Sequence, residues 1–242
     1  MTDVIAHMLR MGCALVLGGL LPFAARACEQ RLTVVELFTS QGCSSCPSAD
    51  ALLGALAARA DLLALSEHVD YWDYLGWKDP FASAVNTQRQ RGYARLLSVR
   101  YVYTPQMVVQ GVVQVPGSDR DAVLRAIESA PAATVPIRLS WQEPDRLAIA
   151  LGAAKVPSPA TVWVTTFDRA QTTTVGSGEN EGQALHNFNV VRSLTPAGEW
   201  SGGPIEMVAY MGADAWKQGN CAVLVQASGM GQVLGAARCG RH

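Results

Sequence analysis

Two cysteines three positions apart, Cys43 and Cys46, stand between a strand-like run and a helix-like run, and this placement limits the fold more than any other feature of the chain. Before them, Thr33-Val34-Val35-Glu36-Leu37-Phe38 is β-branched and apolar with a single acid, the pattern of a buried strand. After them, Pro47 and the segment Ser48–Arg59 carry good helix formers, with Leu52, Leu53 and Leu56 on one stripe. Pro47 sits just inside the helix, where its missing N–H costs little. Strand, Cys-x-x-Cys, helix is the opening of a βαβ unit in which the first cysteine lies at a helix N-terminus, where backbone N–H groups favour a thiolate, and the second is screened by the first turn. One attacking and one resolving thiol are what thiol–disulfide exchange requires. The plainer readings are a structural disulfide and half of a zinc site. The second would need another ligand pair, and Cys221 and Cys239 are distant from the motif with no histidine pair beside them.

The N-terminal residues bear on the redox compartment. Met11–Phe23 is an uncharged apolar core, too short to span a bilayer, and Ala25-Arg26-Ala27 follows with small-x-small spacing. Residues 1–27 therefore read as a signal peptide, with Cys28 as the first mature residue and a periplasmic or secreted destination. A lipoprotein reading would acylate Cys28, but Arg26 stands where a small or apolar residue is expected. Export exposes the cysteines to an oxidising compartment. Cys221 and Cys239 flank two apolar runs separated by Ala227–Gly231, a hairpin whose ends approach each other, so they can bridge; Cys28 is left free or takes Cys239 instead. The formal charge is −1 over the whole chain, with no basic run suited to nucleic acid and no acidic tail.

The remaining pattern divides near residue 131. Up to that point strands and helices alternate: Asp61–Asp70 as a strand, Ser83–Leu97 as a helix, a hairpin turning at Gln110-Gly111, and a helix over Arg120–Ser129 capped by Ser118-Asp119. Beyond Pro136 come short segments, Ile137–Trp141, Arg146–Leu151, Ala160–Phe167, Gln171–Val175, Leu185–Arg192 and the final hairpin, separated by Gly, Pro, Asn or Asp. The expected fold class is an α/β thioredoxin-like domain over residues 28–131, followed by a small all-β, sandwich-like domain over 132–242.

Several longer strings carry a resemblance. Glu36–Pro47, His68–Phe81, Tyr103-Thr104-Pro105-Gln106-Met107, Gly178-Glu179-Asn180 and Asn189-Val190-Val191-Arg192 resemble the DUF1223 family of exported, thioredoxin-like bacterial proteins over nearly all of the mature chain. The resemblance implies a thioredoxin-like fold with a β-rich extension and names no substrate. In that setting Thr104-Pro105 resembles the cis-proline that faces the cysteines and holds an extended substrate, with an ordinary trans turn proline as the alternative. Glu36 resembles the strand acid that accepts the resolving thiol's proton, with a salt-bridged acid as the alternative.

Other candidates rest on residue type. His68 either tunes Cys43, joins Cys43 and Cys46 in holding a metal, or is a hydrogen-bonded core histidine. Trp72, Tyr74 and Trp77 either line a substrate groove or cover the sheet. Arg89, Arg91, Arg95 and Arg100 read as a solvated helix face, and Glu179-Asn180 with Asn189 and Arg192 as a structural polar network. The Ser-Ser pair between the cysteines adds no cation, so a moderate thiolate and a reducing to intermediate potential are expected. The first expectation is thus an exported thiol–disulfide oxidoreductase that needs no cofactor besides its redox-active disulfide. Its partners would be protein or small-molecule thiols and disulfides. The rivals are a Cu(I)-handling protein using Cys43, Cys46 and His68, and a non-catalytic binding module stapled by the Cys43–Cys46 disulfide.

Overall fold

The computed structural model describes residues 31–143, 145–156, 158–212 and 220–240. Residues 1–27, expected to be a signal peptide, and Cys28 lie outside the described residues. In order, the elements are β1 (Thr33–Thr39), α1 (Pro47–Ala57), β2 (Leu62–His68), α2 (Ala84–Leu96), β3 (Gln106–Val109), β4 (Val113–Pro116), α3 (Arg120–Glu128), β5 (Ile137–Glu143), β6 (Arg146–Leu151), β7 (Ala160–Thr174), β8 (Ala184–Trp200), β9 (Ile205–Tyr210), β10 (Asn220–Ala227) and β11 (Val233–Arg238).

The expected fold class is overturned. The protein is mostly β, 43% strand and 18% helix, and is not an α/β thioredoxin-like fold followed by a separate all-β domain. A single mixed sheet of eight strands, in the order β11-β10-β7-β8-β2-β1-β3-β4, takes strands from both halves of the chain. The junction is the pairing of β8 alongside β2, parallel, with Ser66 opposite Val190. The reason lies in β2, buried at every position. A strand buried on both faces belongs in a sheet interior, and the chain supplies the missing neighbour from the β7–β8 hairpin.

The sheet also curls. Its β11 edge returns over β1, and Gln110 closes the gap. The Gln110 backbone N–H donates to Val34 O and its side-chain Nε2 to Val233 O, each at 2.8 Å. In return Gln110 Oε1 accepts the Val34 N–H at 2.8 Å, and its carbonyl accepts the Val233 N–H at 2.9 Å. Inside this curl, Leu32, Val34, Leu63 and Leu65 pack with Phe167, Val191, Ala222, Leu224 and Val233. One core is thus built from both halves. Gly111 permits the closure: its φ is +71°, and a Cβ there would stand 2.5 Å from the carbonyl oxygen of Gly231.

Two layers cover the sheet's other face. At one end α1 and α3 pack Leu52, Leu53, Leu56, Val123 and Ile127 against Val35, Leu37, Leu62, Ala64, Met107 and Val109. At the other end the small sheet β5-β6-β9 packs Leu147, Ile149 and Leu151 against Val162, Val164, Val223 and Val225. The segments expected at 160–167 and 171–175 form one fifteen-residue strand. The intervening Asp168-Arg169-Ala170 reads as a turn in sequence; in the structure the strand runs through it while emerging from cover, Asp168 half-buried and Arg169 and Ala170 exposed. Likewise β8 runs to Trp200. Strand β9 was not expected: it is an edge strand with Ile205, Glu206 and Tyr210 exposed, so its alternation is weak. The final hairpin is as expected, and a Cys221–Cys239 disulfide closes it, with Cα atoms 5.2 Å apart.

Candidate functional site

Cys43 and Cys46 form a disulfide with Cα atoms 5.4 Å apart, at the junction of β1 and α1. Cys46 is the residue before the first helical position, taken by Pro47. Its carbonyl accepts the N–H groups of Ala49 and Asp50 at 2.9 and 3.0 Å. Both sulfur residues are covered, Cys43 at 2% and Cys46 at 0% exposure, while Ser44 and Ser45 project outward.

The loop is held by residues far away in sequence. Asn180 Nδ2 donates to the carbonyls of Gln41 and Cys43 at 2.9 and 3.0 Å. The Ser44 N–H donates to Glu179 Oε2 at 3.2 Å. Gln41 ties the cysteine loop to two other segments: its N–H donates to Asp79 Oδ2, its Nε2 to Asn187 Oδ1, and its Oε1 accepts from Trp77 Nε1. On the rim, Trp72 lies against Gly42, where an added Cβ would be 3.3 Å from Trp72 Cβ. Its Nε1 donates to Thr104 Oγ1 at 2.8 Å. Trp72 therefore spans the space from the cysteine loop to the loop before β3, where the Thr104–Pro105 peptide bond is cis and Pro105 is buried. Gly117 sits between Pro105 and α1, and a Cβ on it would stand 3.1 Å from Pro105 Cβ and 3.2 Å from Ala49 Cβ. Trp77 is half-buried on Gln41, and Tyr74 is 78% exposed.

Beneath the disulfide lies a buried polar group of residues that sequence reading did not assemble. Asp50 is four residues after Cys46, on the same face of α1, and its carboxyl stands among Thr39, Asn187, His68 and Asp79. It is 4% exposed. Burial pushes its pKa up to about 7, against the opposing pull of His68, while nearby Asp79 adds to the rise. His68 faces α1 from the end of β2, its Nδ1 2.6 Å from Asp79 Oδ2. Asp79 is held below its usual value despite burial, by His68 and by the N–H groups of Gln41 and Phe81. The periodicity of α1, with Asp50 beside Ala49 and Leu53 on the buried stripe, is the signal that could have found this acid.

Glu36 is placed elsewhere. Strand alternation turns Val35 and Leu37 toward α1 and Glu36 toward α2. There Arg89 Nε lies 2.5 Å from Glu36 Oε1 and 3.3 Å from Glu67 Oε1, and the Tyr93 hydroxyl donates to Glu36 Oε2. Arg89, expected on a solvated face, is 5% exposed, whereas Arg91, Arg95 and Arg100 are exposed as expected. Burial raises the Glu36 carboxyl, but Arg89 and hydrogen bonds from Glu67, Arg89 and Tyr93 outweigh it and hold the group below its ordinary value. Glu67 is pushed well up by burial and the Glu36 charge. Arg89 is thus the cation that both carboxyl groups face in a closed site, and removing it strands a buried charge. Arg89→Ala is expected to cost about 3–5 kcal/mol in urea unfolding at pH 7, with Arg89→Ala/Glu36→Gln recovering part of the loss. Equal stability of Arg89→Ala and wild type would refute this account.

Among the described residues no group of three or more His, Cys, Asp or Glu is placed to hold a metal ion, and no helix is long and apolar enough to cross a membrane.

A search of curated proteins finds no match. Among solved structures, the chain is similar to a protein from Agrobacterium tumefaciens at 34% identity and a TM-score of 0.76, over 87% of this chain and 95% of that one. It also shares its fold with HBP35 of Porphyromonas gingivalis, with a TM-score of 0.56 at 12% identity, over 86% of this chain and 74% of that one. The family model described as "Protein of unknown function (DUF1223)" matches residues 34–226. The match spans the cysteine loop, the buried Asp50–His68–Asp79 group and the Glu179-Asn180 clasp, and the chain belongs to the DUF1223 family.

Proposed function

We propose that the protein is an exported thiol–disulfide oxidoreductase whose working couple is Cys43–Cys46. The observation that carries this reading is the disulfide at the N-terminus of α1, with the buried Asp50 four residues after Cys46 on the same helix. In the reduced protein, the Cys43 thiolate attacks a substrate disulfide. A Cys43–substrate bond forms, and the first substrate sulfur leaves as a thiolate. Asp50 takes the proton of the Cys46 thiol. The Cys46 thiolate then attacks the Cys43 sulfur, releases the second substrate thiolate and closes the disulfide. Two electrons pass to the substrate, and the reverse sequence oxidises a dithiol.

Trp72, Thr104 and Pro105 form the wall against which the substrate lies, with Tyr74 and Trp77 beside it. His68 and Asp79 act by positioning Asp50. In this reading Glu36 belongs to the support of α2 and not to the proton path. Two disulfides in one chain fit the oxidising compartment that the leader-like residues 1–27 imply.

The two disulfides separate the exchange reading from a purely structural one. Both are nearly covered, so access does not distinguish them. The reduced forms do: a Cys43 thiolate gains the helix N-terminus, whereas Cys221 lies on β10 and Cys239 just after β11, and the two close a loop worth about 3 kcal/mol in chain entropy. In glutathione buffers of graded potential, followed by alkylation and peptide mapping, Cys43–Cys46 is expected to open first, with Cys221–Cys239 intact. Simultaneous opening, or opening of Cys221–Cys239 first, would overturn the assignment.

A further inference from the structure

The two layers that cover one face of the large sheet do not meet. Between the end of α1 and the small sheet remains a cavity of about 790 Å³. That volume is within the range of small-molecule sites. Its walls are of two kinds. Trp141, Phe167, Phe188 and Met211 supply apolar surface, together with the Cys221–Cys239 disulfide. Arg59, Arg169 and Arg238 supply charge.

The arginines are not equivalent. Arg59 is already neutralised by Asp61, with hydrogen bonds of 3.0 and 2.6 Å. Arg169 donates from Nε to the neutral amide of Asn220 at 2.8 Å. Arg238 reaches the carbonyls of Arg59 and Leu62. Among the described residues neither Arg169 nor Arg238 has a carboxylate partner. They are close enough to repel: burial, and then the Arg169 charge, lower the Arg238 pKa. Two guanidinium groups line one side of an aromatic-walled cavity, Arg238 half-buried and Arg169 exposed, with no carboxylate between them among the described residues, an arrangement that suits an anionic head group.

We propose that this cavity binds an amphipathic organic anion, a molecule with one carboxylate-like head held by Arg169 and Arg238 and an apolar body against Trp141 and Phe188. The site is separate from the Cys43–Cys46 disulfide, and the inference does not rest on the exchange reading.

Dodecanoate below its micelle concentration is the test ligand, titrated into the full chain by calorimetry and by tryptophan fluorescence. Saturable one-to-one binding is expected, with a fluorescence change that Trp141→Phe abolishes. Dodecanol and dodecyltrimethylammonium should bind at least about tenfold more weakly, because neither completes the charge pair. Arg169→Glu places a carboxylate beside Arg238 and should cost dodecanoate at least about tenfold. Ala58 is exposed at the cavity rim, so Ala58→Trp should fill the cavity without disturbing the core and block binding. The Cys43→Ser/Cys46→Ser protein should bind as wild type does, whatever its exchange activity. The proposal is overturned by failure to saturate, by equal affinity for dodecanol, by unaltered affinity in Arg169→Glu, or by binding that survives Ala58→Trp.

Discussion

Cys46→Ser should accumulate a stable mixed disulfide with its substrate, and Cys43→Ser should form none. The attacking sulfur remains in the first variant, but nothing is left to displace the product from it; in the second the thiolate at the helix end is gone. Turnover of a model disulfide should fall to background in both, the largest effect expected of any substitution in this chain. The distinction between them is seen by non-reducing electrophoresis after acid quench and by the mass of the trapped adduct. Adducts of equal amount on Cys43 and on Cys46 would mean that the two thiols do not have separate roles.

Asp50→Asn should slow exchange and stabilise the fold, a combination that few substitutions give. On rate, the variant lacks the group that receives the Cys46 proton. Release of the mixed disulfide should slow by about a hundredfold, and the rise of the wild-type rate through pH 7 should vanish. On stability, the Asp50 pKa is raised from 3.8 unfolded to about 7 folded. Below pH 4 both states hold the proton and there is no penalty. As pH climbs from 4 to 7 the unfolded chain gives it up first, so stability falls, reaching a loss on the order of 4 kcal/mol above pH 7. Asparagine cannot ionise. The variant should therefore exceed wild type in urea unfolding at pH 8 and lose that advantage at pH 3. A pH slope unchanged by the substitution would remove Asp50 from both accounts.

The parts legible in the sequence are those set by neighbours along the chain. The order β1, Cys-x-x-Cys, α1, β2 follows from local periodicity and from Pro47 at the helix start. The Cys221–Cys239 pair follows from the symmetric runs on either side of the Ala227–Gly231 turn. Glu36 was within reach too: alternation with Val35 and Leu37 fixes its side of the sheet, and only the family resemblance drew it toward the cysteines. Arg89 was hidden because helix α2 buries a polar face, Asn86, Thr87, Arg89 and Gln90, and a hydrophobic-stripe reading takes such a face for the solvated one. The junction of β8 with β2, the Gln110 closure and the hold of Asn180 on the cysteine loop are pairings between distant segments. No window of sequence contains both partners, so composition could divide the chain in two while pairing joined it in one sheet.

The Asn180 clasp also sets an order of events as the chain emerges. Asn180 lies 137 residues after Cys43, whose carbonyl it holds. Synthesis runs from the N-terminus, so both cysteines of the motif emerge before the residues that enclose them. During that interval they are thiols on an unfinished sheet, open to whatever sulfur partner is near. The native loop is completed only when the last third of the chain arrives. The pair nearest the start of the fold is therefore among the last to be covered.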